Sequence, residues 1–301
     1  MKKVFSFGFL LMALTGCLKQ KYPMGNTSLQ NQTIQGAIVL RDWHGKALEK
    51  PQGHVLAQFV QPSTKAFALK AGLKLPALAR ASGTEKVTTQ CEVIHEPKST
   101  NHPIATGDSK DVTVNMGKVA FGTSANNLVS LTEGENHLYS LNLQPNFESG
   151  IYLASVEGNT QTPGFAIKMS MPERMGQVIV AGQDFETSAT AFRKNEPLSL
   201  SWEAPKGEFD LKTNQMELEL ISETDKEVVS VICGAMEKDL MTSSSTVTWE
   251  IPSNYLQALD ATPNGLAILK RGQWMRASSP EIGVVSFEGV RIYATPALIS
   301  E

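Results

Sequence analysis

Short segments in which every second residue is apolar recur along the chain from Thr33 onward. In the segment 165–171, Phe165, Ile167, Met169 and Met171 fall on one face, with Lys168 and Ser170 on the other. A period of two is typical of a half-buried β-strand. Strand-like segments, either alternating or continuously apolar, are 34–40, 54–60, 86–94, 111–121, 137–143, 150–156, 165–171, 197–202, 215–220, 227–233, 246–251, 265–269 and 282–294.

Turn formers separate these segments, and helical spacing is confined to one short stretch. Ser253 can cap a helix that continues to Leu259. Gly117 interrupts the alternation of 111–121, which predicts a bulge or a turn there. The stretch 64–81 fits either a helical turn or a strand, and Pro76 excludes one long helix, so we expect an irregular crossing.

Many short strands without a long helix predict an all-β protein built from β-sandwiches. We expect two domains in tandem, 36–172 and 173–301, with the break at Pro172. With Trp202 on an early strand, Cys233 central and Trp249 late, the second half resembles an immunoglobulin-like or fibronectin-like sandwich. Both halves are similar to uncharacterised two-domain lipoproteins of diderm bacteria, a likeness that implies no activity. We expect both tryptophans to be core residues.

The first seventeen residues have the organisation of an export signal. Lys2 and Lys3 precede an apolar run over 4–14, which ends in Leu14-Thr15-Gly16-Cys17. This stretch resembles the lipobox of bacterial lipoproteins. The resemblance implies cleavage before Cys17, a diacylglyceryl group on its sulfur and acylation of the new amine. The alternative is an ordinary secretory leader with a chance cysteine.

The apolar run is too short to span a bilayer, because a spanning helix needs about 20 residues. We therefore interpret 1–16 as a lipoprotein signal peptide. Residues 17–35 are the lipidated cysteine and a flexible tether, since this polar segment cannot bury enough apolar surface to order itself. Leu18, where some bacteria use aspartate as a retention signal, favours the outer membrane. We expect a lipid-anchored protein of the cell envelope.

Composition narrows the range of partners. The formal net charge is −3, and the leader contributes only lysines to it, so the mature part is more acidic still. Such a protein has no general attraction for nucleic acid. Cys91 and Cys233 could form a disulfide in an oxidising envelope. Each lies on the apolar face of a strand from a different predicted domain, so we favour two buried free thiols.

The histidines allow one metal hypothesis. His95 and His102 could bind zinc together with Glu92, Glu96 or Asp108. The ligands of zinc motifs are usually about two to five residues apart, however, and these two histidines are separated by a proline-containing loop. We favour solvated loop histidines and expect no metal.

Other catalytic groupings are not indicated either. Asp108 and Asp111 lack the carboxylate ladder and glycine of a calcium loop, so an exposed turn is the better interpretation. The serines at 243–245 have no histidine nearby in the second half. The sequence contains no Gly-x-Ser-x-Gly, His-Glu-x-x-His or Walker motif, and we therefore predict no catalytic residue and no cofactor.

Two tryptophans are predicted to lie outside the strands. Trp43 is interpreted as part of a turn. Trp274 lies in 270–276, a basic segment interpreted as a hairpin-like loop. Aromatic residues on loops can anchor a partner, although a tryptophan can also fold back over the end of a sandwich as part of the core. The candidate binding residues are Lys270, Arg271, Trp274 and Arg276.

Together these patterns favour a membrane-anchored envelope lipoprotein that is a non-catalytic binding, adhesion or scaffolding module. Its expected partners are the membrane, through the lipid anchor, and an envelope protein or glycan, but not nucleic acid. The alternative is an envelope hydrolase or carbohydrate-active enzyme with a site between the domains. A polar pocket with convergent carboxylates or histidines would favour that alternative.

Overall fold

The computed structural model describes nine ranges of the chain. They are 34–48, 50–60, 89–97, 113–144, 147–160, 162–206, 213–242, 245–279 and 282–301. The predicted signal peptide, Cys17 and nearly all of the predicted tether lie outside the described residues. So do the stretch 64–81, His102, Asp108 and Asp111, and the serines at 243 and 244.

Strands make up most of the described chain, which confirms the predicted all-β sandwich class. The first half contains β1 (Gln35–His44), β2 (Gln52–Val60), β3 (Gln90–Pro97), β4 (Val119–Gly122), β5 (Leu128–Ser130), β6 (Thr132–Glu133), β7 (Tyr139–Leu143), β8 (Gly150–Gly158) and β9 (Pro163–Met171). The second contains β10 (Ile179–Val180), β11 (Gln183–Asp184), β12 (Thr190–Arg193), β13 (Leu198–Glu203), β14 (Gln215–Glu223), β15 (Glu227–Met236), β16 (Thr246–Ile251), β17 (Thr262–Ser279) and β18 (Gly283–Ser300).

Helical structure in the described residues is limited to short turns. The predicted short helix is present as α1, Ser253–Leu256, but it ends three residues before Leu259, and Ser253 is its first helical residue and not its cap. Two 3₁₀ turns occupy Glu135–His137 and Glu237–Leu240. None of these helices is long and apolar enough to cross a membrane. Gly117 has φ +68°, so the predicted turn at this glycine is confirmed. That left-handed conformation is one that glycine adopts without steric cost.

One long sheet forms the backbone of the fold. It contains ten strands, nine of them in the order β3-β15-β14-β17-β18-β1-β2-β7-β6, while β12 pairs with β18. The C-terminal strand β18 pairs with β17 along its whole length, and on its other edge it pairs in parallel with β1 and then with β12. Two further sheets of four strands have the orders β5-β4-β8-β9 and β11-β10-β13-β16.

The two small sheets pack against the same face of the long sheet and enclose two cores. One core contains Trp202 and Trp249, which are 3% and 0% exposed, so the prediction that both are core residues is confirmed. The other core contains Phe59 and Phe121. Burying each such large apolar side chain contributes roughly 1.5–3 kcal/mol, so these inward alternating positions supply the driving force for the sandwich.

Strands from both halves of the chain build the long sheet. β3, from the first predicted domain, pairs with β15 of the second, and β18 contributes Phe287 to one core and Tyr293 to the other. The boundary between 36–172 and 173–301 therefore separates segments that share a sheet. The division of the chain into two domains stays a prediction.

The prediction that Cys91 and Cys233 are free thiols is wrong. Their sulfurs are bonded, and the two residues face each other across β3 and β15. The prediction failed because it placed each cysteine in a separate domain. Antiparallel pairing of the two strands instead brings the Cα atoms to 4.1 Å, within bonding reach of a disulfide.

The interpretation of Trp43 as a turn residue is also wrong. Trp43 is part of β1, where it pairs with Ile292 of β18 and packs beside Ile268. The turn begins only after His44, at Gly45. The polar residues around Trp43 suggested a loop, but two of them, Asp42 and His44, are buried charged or polar groups within the strand.

Candidate functional site

The basic segment 270–276 is not the exposed loop predicted from the sequence. It lies in the middle of β17, between β14 and β18. Lys270 and Arg271 are only 6% and 1% exposed. Each is paired with carboxylates from neighbouring elements, so these two predicted binding residues do not present their charges to a surface partner.

Lys270 lies opposite Glu217 in the β14–β17 pair. Its Nζ atom donates to Glu217 Oε1 at 2.6 Å and to Glu219 Oε2 at 3.2 Å. All three side chains are nearly inaccessible to solvent. The arrangement neutralises a lysine that would otherwise be costly to bury, so its role is structural.

Arg271 points to the opposite face of β17 and pairs with Glu237 of the second 3₁₀ turn. Its Nη2 donates to Glu237 Oε1 at 2.7 Å and its Nε donates to Oε2 at 3.0 Å. Trp202 Nε1 and Asn214 Nδ2 each donate to the same carboxylate at 2.7 Å. Arg271 therefore pairs with Glu237 through two parallel hydrogen bonds, and both carboxylate oxygens accept further hydrogen bonds. This group is a rigid part of the core.

Arg271 also holds the segment that joins the two halves of the chain. Its Nη1 donates to the carbonyl oxygens of Glu173 and Arg174 at 3.2 and 3.3 Å. The amide of Met175 donates to the Tyr293 hydroxyl at 3.0 Å. Backbone groups of this connection are therefore satisfied by side chains of β17 and β18, as buried polar backbone requires.

Trp274 keeps an accessible surface. It is 36% exposed and lies on the face of the long sheet that points away from the two small sheets, opposite Glu288 of β18. Arg41 of β1 lies on the same face. Burial lowers the pKa of Arg41 to about 10, and the charge of Glu288 acts in the opposite direction. Arg276 pairs with Ser286 in the same strand pair.

Arg41 adds an unsatisfied donor to this face. Its Nε atom is buried and has no hydrogen-bond partner among the described residues. Leaving a buried charged donor unsatisfied costs free energy. The surface of Trp274, Arg41 and Glu288, which we call the Trp274 face, therefore combines an accessible aromatic ring with an incompletely paired cation and an anion.

A second group of charged residues lies where the two cores meet, and sequence reasoning did not find it. Arg291 of β18 and Asp42 of β1 form a buried ion pair, and the Arg291 side chain is 1% exposed. Arg291 Nε donates to the Pro172 carbonyl at 2.9 Å, and its Nη1 donates to Asp42 Oδ2. Desolvation lowers the pKa of Arg291, while Asp42 raises it.

His44 and Arg174 complete the surroundings of Asp42. His44 Nε2 is 2.9 Å from Asp42 Oδ2, within ion-pair distance but without the alignment of a hydrogen bond. The His44 ring stacks on Tyr293 with 5.6 Å between ring centroids. Arg174 Nη2 is 3.9 Å from Asp42 Oδ2 on the solvent side. Burial is the main cause that raises the pKa of Tyr293.

Beside this group is an open cleft of about 620 Å³. Phe147, Glu148, Ser149, Glu173, Arg174 and Arg291 line it. We call this the Arg291 cleft. One sequence signal indicates such a buried pair: Arg291 is a charged residue between Val290 and Ile292 in a long apolar strand.

The remaining predicted sites are accounted for in part. His95 Nδ1 is 3.2 Å from Glu227 Oε2 at an exposed position. The described residues contain no group of three or more side chains arranged to hold a metal ion. The other members of the zinc hypothesis, His102 and Asp108, lie outside the described ranges. Among the described residues, His44 lies beside the buried carboxylate of Asp42 and stacks on Tyr293. No hydroxyl group of these residues is hydrogen-bonded to His44, as the nucleophile of a serine–histidine–carboxylate triad would be.

Comparison with known proteins adds little. No protein-family model matches the chain, and no curated protein matches it. Among solved structures, the chain is similar to a DUF3823 family protein from Bacteroides ovatus ATCC 8483, with 12% identity over 60% of this chain and 90% of that one, and a TM-score of 0.21. A superposition this weak carries no argument about function.

Proposed function

We propose that this chain is a lipid-anchored protein of the cell envelope, held on the outer membrane through Cys17, and that its folded part is a non-catalytic binding module. The anchor is supported by Leu14-Thr15-Gly16-Cys17 behind a basic, apolar leader. Three acyl chains on the processed cysteine give stable attachment, whereas a single chain gives only marginal binding.

The observation that carries the binding proposal is the Trp274 face. Sandwich cores are filled by inward side chains, so binding falls to surfaces outside them. Trp274 offers accessible ring surface opposite Glu288, on the face of the sheet that also carries Arg41. An aromatic ring can bury apolar area against a partner, while the two charges orient that partner by complementarity. The partner is an envelope glycan or an envelope protein.

Capture from native envelope material by the full, lipidated chain tests the proposal. The double variant Trp274→Ala, Arg276→Ala should capture its partner about tenfold less well, the loss expected when an aromatic anchor is truncated. Its midpoint of thermal unfolding should stay nearly unchanged. Ile151→Ala is the matched control, because Ile151 is an exposed apolar residue, 64% accessible, on a different sheet.

Digestion of the captured material with proteases or with glycan-degrading enzymes identifies the class of partner. A binding module should leave its partner intact after long incubation. Progressive cleavage of the partner would indicate that the protein is a hydrolase and not a binding module. If the double variant unfolds several degrees earlier and still captures normally, Trp274 is a packing residue and the Trp274 face is not the binding surface.

A further inference from the structure

Strand β3 is held to the rest of the protein less firmly than the strand beside it. It is the last strand of the long sheet, and among the described strands only β15 pairs with it. None of its eight residues is buried, whereas six of the ten residues of β15 are. Its ion pair between His95 and Glu227 is exposed on both sides, and such pairs contribute little to stability. An edge strand that buries so little surface is expected to open locally at a low cost in free energy.

The chain on either side of β3 is fixed independently of this strand. β2 ends at Val60, and Val60 forms an isolated antiparallel bridge with Thr113. The amide of Val114 also donates to the Phe59 carbonyl at 2.8 Å. The stretch 61–112, which contains β3, therefore begins and ends at one place beside the core of Phe59. Release of β3 from β15 consequently requires no movement of β2 or β4.

One covalent bond adds to the contacts that hold β3 in the sheet. The disulfide joins Cys91, the second residue of β3, to Cys233. Near the same end of the strand, the Trp249 indole donates to the Thr89 hydroxyl at 3.0 Å. Cys91 and Val93 pack against the core of Trp249, but both stay partly exposed. The disulfide is therefore the contact whose loss should change the attachment of β3 most.

Access from solvent differs between the two cysteines. Cys233 is 1% exposed, whereas Cys91 is partly exposed at the edge of the sheet. A thiolate of a dithiol reductant therefore attacks Cys91 Sγ, which forms a mixed disulfide and releases Cys233 as a thiolate. The second thiol of the reductant then displaces Cys91 from the mixed disulfide. The reductant supplies two electrons and two protons and leaves as a disulfide, and both cysteines become thiols.

We propose that the disulfide between Cys91 and Cys233 is a redox-sensitive latch on β3. While the bond is intact, β3 stays paired with β15. Reduction by a dithiol lets β3 leave the long sheet while both cores stay folded, and reoxidation returns it. β15 then becomes an edge strand, and its unpaired N–H and C=O groups are open to strand addition by an extended peptide. The latch depends neither on the Trp274 face nor on the lipid anchor.

Hydrogen exchange of the native full chain, with and without dithiothreitol, tests the latch. In the oxidised protein, the β3 amides that pair with β15 should be protected. Reduction should accelerate their exchange about a hundredfold, the factor that corresponds to a typical disulfide contribution, while amides of β1 and β18 should change by less than about twofold. Thiol titration should find two thiols in the reduced, native protein. The protection of β3 should return on reoxidation.

Two variants separate the loss of the disulfide from the loss of other contacts. In Cys91→Ala, Cys233→Ala, the β3 amides should exchange as in the reduced wild type, whether or not dithiothreitol is present. Thr89→Val is the matched control, because it removes the hydroxyl that accepts from Trp249 but keeps the disulfide. In this control, β3 should stay protected until the disulfide is reduced.

Four results would overturn the latch. The first is that β3 keeps its protection after reduction, and the second is that the strands of both cores lose protection together with β3. The third is that dithiothreitol reduces the bond only in unfolded protein. The fourth is that oxidised Thr89→Val already exchanges its β3 amides like the reduced wild type, which would show that the disulfide does not hold the strand.

Discussion

Cys91 and Cys233 lie directly opposite each other in β3 and β15, and their disulfide joins strands from the two halves of the chain. The bond links residues that are 142 positions apart in sequence. A cross-link of this span lowers the conformational entropy of the unfolded chain. In the loop-entropy model this stabilises the folded state by about 5 kcal/mol. The disulfide therefore fixes β3 as a member of the long sheet.

Removal of this disulfide should destabilise the protein. We expect Cys91→Ala, Cys233→Ala to lower the free energy of unfolding by about 2–5 kcal/mol, the range found for native disulfides. Chemical denaturation measures the change. A reducing agent should lower the stability of the wild type to a similar extent and leave the double variant unaffected. Two reactive thiols in unfolded, unreduced mature protein would contradict the bond.

Stability should also fall at alkaline pH because of Tyr293. Burial raises the pKa of Tyr293 above its ordinary value of 10.0. As the pH rises through about 10, tyrosine in the unfolded chain loses its proton while Tyr293 in the folded chain keeps it. The folded state then binds more protons than the unfolded state, so the free energy of unfolding decreases with pH until Tyr293 itself ionises.

The variant Tyr293→Phe should make this alkaline decline less steep. It also removes the acceptor for the Met175 amide, which costs stability at every pH, so the slope and not the absolute stability is the informative quantity. Denaturation between neutral and alkaline pH measures it, with Tyr255→Phe as the matched control. An alkaline slope equal to that of the wild type would show that the buried hydroxyl of Tyr293 does not contribute.

The alternation of apolar residues predicted most of the strands because each has one face on a core. β9, β13 and β16 are examples, and in each the inward residues are those that the sequence pattern assigned to one face. Pairing partners were not predictable in the same way. A strand pattern states which side is buried but not which neighbour it pairs with, so the β3–β15 pair and its disulfide were missed.

The charged residues were the main source of error, because charge was interpreted as exposure. Lys270 and Arg271 looked like a basic loop beside Trp274, yet each has a buried carboxylate partner in a distant part of the sequence. The same holds for Asp42 and Arg291, which are 249 positions apart. Buried ion pairs depend on tertiary partners, and a local pattern contains no information about them.

Lipid attachment gives a direct test of the predicted anchor. Cys17→Ser should abolish labelling by a fatty-acid analogue and leave the chain unprocessed, because the sulfur that accepts the lipid is gone. The variant Cys91→Ala, Cys233→Ala is the matched cysteine control and should be labelled like the wild type. Metabolic labelling followed by mass analysis of the N-terminus measures both. Full labelling of Cys17→Ser would show that the lipid is attached elsewhere, and an unlabelled wild type would show that the leader is an ordinary secretory signal.

Substitution of Glu237 should lower the free energy of unfolding more than most other substitutions. Its carboxylate accepts hydrogen bonds from Arg271, Trp202 and Asn214. Glu237→Ala leaves Arg271 charged and without its carboxylate partner in the core, and breaking a buried pair in this way costs about 3–5 kcal/mol. Asp239→Ala in the same 3₁₀ turn is the control and should change stability by less than about 0.5 kcal/mol, because Asp239 is partly exposed.

The double variant Glu237→Leu, Arg271→Met distinguishes the net contribution of the ion pair to stability from the cost of removing only one of its partners. Replacing both charges by apolar side chains removes the desolvation cost together with the attraction, so most of the stability lost in Glu237→Ala should return. Urea denaturation of the wild type, the single variants and the double variant completes the cycle. A double variant as unstable as Glu237→Ala would mean that the Trp202 and Asn214 hydrogen bonds, and not the charge on Arg271, make Glu237 indispensable.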